Sequence, residues 1–292
     1  MGGTEGRNPE TMDLDRLDAL GVCQRLHRED QRAVAAVGQV LGDVARAAEA
    51  VARALAGGGR LFYVGAGTSG RLGVLDSSEL PPTFGIPAEQ ARAIIAGGPT
   101  AVVRAVEGAE DSAAQGAADL RLAGIGPGDV LLALAASGRT PYVLGAVAEA
   151  RRAGSETVGI LCNPGAPLAE AVDIAVVADT GPEAVLGSTR LKAGTAQKLV
   201  LNMISTAAMV LGGRVYENLM VDMRSSNEKL RGRAVRMVAL ATGCGADRAG
   251  ELLAEAAGEV KTAIVMQLAG LPAEEARTRL AESGGRIRGA LP

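Results

Sequence analysis

Two short stretches concentrate the groups that could do chemistry: Gly65-Ala66-Gly67-Thr68-Ser69-Gly70, and Ser137-Gly138-Arg139-Thr140 followed by Pro141. In the first, Gly65, Gly67 and Gly70 let the backbone approach a ligand closely, and Thr68 and Ser69 add hydroxyls beside the N–H groups that a helix start leaves without intrahelical partners. The second repeats the plan, with Ser137 and Thr140 as donors, Gly138 for backbone access, and a proline suited to a first helical turn. Neutral donors gathered at helix N-termini bind anions, so phosphate or carboxylate is the natural guest. Arg71 or Arg139 could add charge.

Other chemistries are narrowed by what the chain contains. His27 is the only histidine, which excludes two-histidine metal sites and leaves a hydrolase triad one candidate, in a charged helical stretch. Cys23, Cys162 and Cys244 are far apart and odd in number, fitting neither a disulfide framework nor a metal-ligand spacing. Acid–base chemistry would therefore fall to carboxylates, and no metal is expected. A net charge of -3 with 2% aromatic residues argues against a nucleic-acid partner. The basic segment 224–236 reads as a solvated helix face.

The elements that must position these turns follow from the period of the apolar residues. Residues 60–64, 92–96, 129–135, 156–162 and 173–178 are short, apolar and partly β-branched, and a helical segment separates each from the next. That alternation predicts a five-stranded parallel sheet covered on both faces, a doubly wound α/β sandwich that binds ligands at the carboxyl ends of its strands. Both turns follow such ends, after the first and third strands, so they can converge on one crevice. No acidic residue closes a second strand at the distance a dinucleotide ribose needs, which favours a simple phosphate.

Around this core, residues 14–55 carry apolar residues at helical intervals and stop at Gly57-Gly58-Gly59. A long helix is expected over 189–211, ending at Gly212-Gly213, with only Ala-rich helices from Ser225 onward. These helices contain a repeat. Ala246, Ala249, Leu253, Ala254, Glu255, Gly258, Val260, Lys261, Ala263 and Ile264 recur 27 positions on (273 − 246) as Ala273, Ala276, Leu280, Ala281, Glu282, Gly285, Ile287, Arg288, Ala290 and Leu291. Two such units resemble a ubiquitin-associated-like (UBA-like) bundle, read here as a packing or dimer element. The expected organisation is an N-terminal helical arm over 1–56, a phosphate-binding domain over 57–222 and a helical bundle over 223–292. No apolar run reaches the roughly 20 residues that span a bilayer, so no membrane is expected. The polar, acidic start lacks a signal peptide's plan, which makes the cytoplasm the expected compartment.

The GTSG and SGRT turns on a five-stranded sandwich resemble the sugar isomerase, or SIS, domain, which binds phosphosugars. The resemblance extends to VGAGTSGRLGVLDSSELPPTFG at 64–85, EGAEDS at 107–112, AASGRTPYV at 135–143, CNPG at 162–165, GSTRLKAGTAQKLVLNM at 187–203 and NLMVDM at 218–223. Together these are similar to the N-acetylmuramic acid 6-phosphate etherases, in register from about Thr4 through Ala290. The implied reaction is cofactor-free cleavage of a lactyl ether, giving N-acetylglucosamine 6-phosphate and D-lactate in cell-wall amino-sugar recycling. Ring opening, removal of the carbon-2 proton, loss of lactate from carbon 3 and addition of water are all proton transfers, which two carboxyls of different protonation can perform. Carried over by motif, the family's two glutamates fall on Glu79 in DSSEL, as the acid for the lactate oxygen, and Glu110 in GAED, as the base. Phosphate binding falls on Gly67, Thr68, Ser69, Ser137, Gly138, Arg139 and Thr140.

The chain departs from the family pattern at Leu80, Ser77, His27, Ala184 and Leu186, which leaves the acid–base pair intact. SIS architecture also serves non-catalytic phosphosugar sensors, such as the glucokinase regulatory protein, and aldose–ketose isomerases; retention of both glutamates favours the etherase. Glu79 lies ten residues past Ser69 (79 − 69), about 15 Å along an unbroken helix, farther than a sugar phosphate reaches. Either the helix breaks early or Glu79 serves a neighbouring subunit of a homodimer. Lys192 and Lys198 could reach the phosphate or the substrate carboxylate, or lie on a solvated helix face. Ser188 and Thr189, at that helix's start, are site residues or caps, and Asn163, before Pro164, is a site residue or a turn former.

Overall fold

The computed structural model describes residues 3–223 and 228–292. Contacts divide the chain into two compact units, Met1–Ser77 with Glu89–Ser205, and Ser78–Ala88 with Thr206–Pro292.

In the first unit β1 (Leu61–Gly65), β2 (Ala91–Ile95), β3 (Val130–Leu134), β4 (Glu156–Leu161) and β5 (Ile174–Val177) form one parallel sheet in the order β2-β1-β3-β4-β5. The five expected strands are all present, with ends shifted by a residue or two. β1 and β3 are buried along their whole length, as continuous apolar runs in a two-face-covered sheet must be. Phe62, Val64, Leu131 and Ala133 pack with Leu120, Tyr142, Val143 and Ala146, on the face covered by α5 (Ala113–Leu122) and α6 (Pro141–Arg152). Side chains alternate along a strand, so Tyr63 and Leu134 point the other way, toward Gly73 of α3 (Gly67–Phe84). Phe62, Leu131 and Leu134 are fully buried, and each such side chain stabilises the unit by about 1.5–3 kcal/mol.

The strand order sets the binding crevice. β1 runs outward to β2 on one side and to β3 on the other, so helices leave in opposite directions at the carboxyl ends of β1 and β3, where doubly wound sheets bind ligands. Gly65 pairs with Leu134, so both turns leave the sheet at the same height.

The N-terminal segment differs from a single helical run. Short 3-10 turns at Gly3–Glu5, Pro9–Thr11 and Leu14–Arg16 precede α1 (Ala19–Gly38), and α2 (Leu41–Ala56) follows a break at Gln39-Val40. The Asp18 carboxylate starts α1 by accepting from Gly21 N at 2.8 Å. Gly57 caps the end of α2, at the expected glycine run. α4 (Thr100–Val103) and α7 (Pro167–Ala171) are single turns.

α8 runs over Lys192–Leu211 and begins three residues later than expected, because the buried Glu183 carboxylate accepts from Lys192 N and Ala193 N, each at 3.0 Å. Glu183, and neither Ser188 nor Thr189, is the cap. Burial lifts the Glu183 carboxyl above its ordinary value, while those two N–H groups pull it back.

The second unit holds α9 (Glu228–Thr242), α10 (Ala246–Glu255), α11 (Val260–Ala269), α12 (Ala273–Glu282) and α13 (Ile287–Ala290). A small hairpin of β6 (Val215–Tyr216) and β7 (Leu219–Met220) precedes them, turned by Glu217 at φ 55°; its two-residue strands are too short to leave a period in the sequence. Arg231, Arg233 and Arg236 are exposed, as a solvated face requires, whereas 224–227 lie outside the described residues. The repeat is structural. Gly258 N donates to Leu253 O and Gly285 N to Leu280 O, both at 2.7 Å, and Ala249, Ala263, Ala276 and Ala290 are buried in one core.

Candidate active site

The first turn is tight for a steric reason. A Cβ on Gly70 would lie 2.8 Å from Gly65 O, and one on Gly65 would lie 2.7 Å from Gly70 N, so the start of α3 rests directly on the end of β1. Gly67 opens the helix at φ +52° with nothing within 4 Å of an added Cβ, leaving the backbone open to a ligand. Thr68 is half-buried. Ser69 is buried and its Oγ donates to Gln197 Oε1 at 2.7 Å, while Gln197 Nε2 donates to Ile160 O at 3.2 Å. The Ser69 hydroxyl proton is therefore committed inside the protein, which leaves its backbone N–H as the group this residue could offer a ligand.

The second turn is held on three sides. Gly138 sits at φ +66° with an added Cβ only 2.6 Å from Ala166 Cβ, and its carbonyl accepts from Leu168 N at 3.0 Å. Ser137 Oγ accepts from Arg139 N at 3.2 Å, and Thr140 is the N-cap of α6 without using its side chain. Arg139 is exposed. Asn163 proves to be more than a turn former. Its Oδ1 accepts from Thr4 N at 2.8 Å and its Nδ2 donates to Thr4 Oγ1 at 2.9 Å and to Ser137 O at 3.4 Å, tying the N-terminal segment to this turn. Next to it, burial pushes the Cys162 thiol up to about 12.

Glu110 lies in the 3-10 turn Ala109–Asp111, and the helix that follows is capped by Ser112, whose Oγ accepts from Gln115 N at 3.1 Å. Glu110 shares a cavity of about 200 Å³ with Gly67, Arg71, Ala96 and Glu107. Arg71 Nε donates to Val102 O at 3.0 Å, which fixes its guanidinium on that wall. The structure thus brings Glu110 to the first glycine-rich turn.

Glu79 is not in that group. α3 runs without interruption from Gly67 through Pro81 and Pro82 to Phe84, which corrects the early break, and Glu79 is exposed about 15 Å further along its axis. Three residues earlier on the same helix, Asp76 is buried and accepts from Tyr63 Oη at 2.8 Å, Asn202 Nδ2 at 2.7 Å and Ser205 Oγ at 3.1 Å. Burial, then the Asp76 charge, lifts the Tyr63 hydroxyl well above its usual value.

Lys192 is neither a ligand-facing side chain nor a solvated one. It is fully buried and pairs with Glu29, which also accepts from Asn8 Nδ2 at 2.7 Å. Lys198 is exposed, on a solvated face. Sequence reasoning missed Glu29 and Gln197, whose partners lie far away in the chain, and Glu183, whose partners lie nine and ten residues on across an irregular segment; only the buried setting of each marks it. Among the described residues no cluster of three His, Cys, Asp or Glu could hold a metal ion, and no helix is long and apolar enough to cross a membrane.

Comparison with known proteins agrees with this architecture. Residues 43–151 match the glucokinase regulatory protein N-terminal SIS domain and 109–207 match the SIS domain. A phosphosugar isomerase of Bacteroides fragilis, described as putative, superposes with a TM-score of 0.53 at 20% identity, covering 69% of this chain and 95% of its own. A phosphoheptose isomerase of Neisseria gonorrhoeae gives 0.51 at 17% identity, covering 65% and 98%. These establish the fold alone. Much nearer in sequence are the N-acetylmuramic acid 6-phosphate etherases of Cronobacter sakazakii, 55% identical over 99% of this chain and 97% of the relative, and of Aeromonas hydrophila, 55% identical over 97% and 95%. With that identity along its whole length, and with the SIS sheet and both turns in place, the chain belongs to the N-acetylmuramic acid 6-phosphate etherase family.

Proposed function

We propose a division of labour for the etherase reaction among the residues of this chain. As a member of the family the protein is a carbon–oxygen lyase, acting on the lactyl ether of N-acetylmuramic acid 6-phosphate with water to give N-acetylglucosamine 6-phosphate and D-lactate. The observation that carries the residue assignment is the cavity shared by Glu110 and Gly67, a carboxylate beside the first anion-binding turn.

The phosphate is held by the backbone of Gly67, Thr68 and Ser69 and by the turn formed by Ser137, Gly138, Arg139 and Thr140. Glu110 takes the carbon-2 proton of the open-chain aldehyde, whose carbonyl makes that proton acidic. The carbon 3–oxygen bond then breaks, and Glu79 protonates the departing lactate oxygen. Water adds to carbon 3 of the resulting alkene, a proton returns to carbon 2, and the net reaction consumes one water.

Because Glu79 stands about 15 Å along the helix from the phosphate turn, we assign it to the site of a neighbouring subunit in a homodimer. The compartment is the cytoplasm, since a phosphorylated, carboxylate-bearing sugar does not cross a bilayer unaided.

The test is mass spectrometry of products formed in oxygen-18 water. D-Lactate with heavy oxygen on the sugar supports elimination and rehydration; substrate that stays bound but intact makes the protein a phosphosugar sensor. Glu79→Gln and Glu110→Gln should each abolish turnover. Mixing the two inactive variants should restore activity if sites are shared, whereas a fully active monomer rules the sharing out.

A further inference from the structure

The substrate just assigned carries two anions, a phosphate and the carboxylate of its lactyl group, and the site as described accounts only for the first. The cavity beside the phosphate turn is lined by Glu107 and Glu110, so an incoming carboxylate would meet like charge there. Among the described residues, Arg71 is the one cation on that wall. Its placement is built: it projects from the first turns of α3, is half-buried, and anchors Nε on Val102 O at 3.0 Å. It forms no ion pair with a carboxylate among the described residues, whereas most other buried or half-buried cations of this unit, such as Arg60 with Asp129 at 2.7 Å, do. With Nε committed, the two terminal nitrogens keep the parallel geometry that binds a carboxylate through both oxygens.

We infer that Arg71 is the specificity residue for the lactyl carboxylate, pairing with it beside Glu110 so that the ether oxygen is carried to the reacting end of the cavity. This rests on the etherase reading of the site. It gives the isomerase fold a means of selecting a sugar that bears an acid side chain over a plain phosphosugar, since the latter has nothing to offer the fork. The lactate leaving group would keep the contact as its ether bond breaks.

The experiment pairs a protein change with a ligand change. Turnover of N-acetylmuramic acid 6-phosphate is compared with that of its lactyl carboxamide, which keeps the ether and the phosphate and removes the charge. Arg71→Met, shown to be folded by its melting curve, should lose roughly 30- to 100-fold in kcat/KM on the acid and stay within about threefold of the parent on the amide. Arg71→Lys should fall between, having the charge without the fork. Inhibition by N-acetylglucosamine 6-phosphate, which has the phosphate and no lactyl group, should be unchanged in Arg71→Met. Equal losses on acid and amide, or an inhibition constant that rises in step with them, would make Arg71 a phosphate or structural residue and overturn the inference. Should the parent cleave neither ether, the etherase reading fails separately. Calorimetry with the same two ligands then decides for Arg71: a preference for the acid that vanishes in Arg71→Met upholds the pairing, and no preference refutes it.

Discussion

Lys192 and Glu29 stand 163 residues apart in the chain and form an ion pair with side chains 1% and 3% exposed. The pair joins α1 to the start of α8, and Asn8 and Arg32 complete the partners of Glu29. Removing one member leaves the other charged and buried, which costs about 3–5 kcal/mol, whereas replacing both with apolar residues of similar size is often close to neutral. Lys192→Met should therefore lower the urea midpoint sharply, and Lys192→Met with Glu29→Leu should recover much of the loss. A single variant as stable as the parent would mean that water reaches the pair.

A second prediction concerns the first glycine-rich turn, to which the phosphate is assigned above. An added methyl at Gly70 meets Gly65 O at 2.8 Å and Ile95 Cγ1 at 2.6 Å, so α3 must lift from β1. Gly70→Ala should destabilise by roughly 1–3 kcal/mol. Since the turn's N–H groups move with the helix, affinity for N-acetylglucosamine 6-phosphate should fall as well. Unchanged product inhibition in a folded Gly70→Ala variant would place the phosphate elsewhere.

What the sequence makes legible here is whatever is local or periodic. The five strands announce themselves as apolar runs between glycine-rich turns, and the 27-residue repeat returns with the same closing hydrogen bonds at Gly258 and Gly285. Asp18 and Ser112 cap helices that begin at the next residue, yet neither stands out in the sequence until the fold shows which backbone N–H each one accepts. Glu183 caps α8 from nine residues upstream (192 − 183), and no local rule links the two. The charge of Lys192 suggests solvent or a ligand, and only the fold shows that Glu29 is its partner. Ser69 has the right residue type for a phosphate donor, yet its hydroxyl faces Gln197, 128 residues away.

Acid stability offers a third test. Glu149 is buried at the C-terminal end of α6 and receives bidentate bonds from Arg152, at 2.6 and 3.0 Å, and Arg121, at 2.9 and 3.1 Å. Those bonds hold its carboxyl down at about 2, against about 4.3 in an unfolded chain. A depressed folded value means that the stabilisation is complete above the unfolded value and drains away as pH falls toward 2. Both arginines are largely exposed, so solvent and salt weaken the effect. Glu149→Gln should be less stable than the parent at pH 7, with a gap that narrows through pH 4 and closes near pH 2. A gap independent of pH would assign the loss to packing.

The repeat itself supplies the last test. Two residues past the end of α12 in the second copy lies Gly284 at φ 64°, and its counterpart 27 positions earlier is Ala257 at φ 55°, one of two non-glycine residues with positive φ among those described. Both donate backbone N–H bonds of 3.1 Å, to Ala281 O and Ala254 O, so the two turns are geometrically the same. A side chain in this left-handed region costs about 1–2 kcal/mol, while glycine's extra freedom in the unfolded chain returns roughly 0.5–1 kcal/mol. The balance leaves Ala257→Gly more stable by about 0.5–1 kcal/mol, and Gly284→Ala less stable by a similar amount. For a chain of this size the difference is a melting shift of about 1–2 °C in opposite directions, within reach of calorimetry on the full chain. If Ala257→Gly instead lowers the melting temperature, the methyl group at that turn contributes packing that outweighs its backbone strain, and the two copies of the repeat close their turns for different reasons.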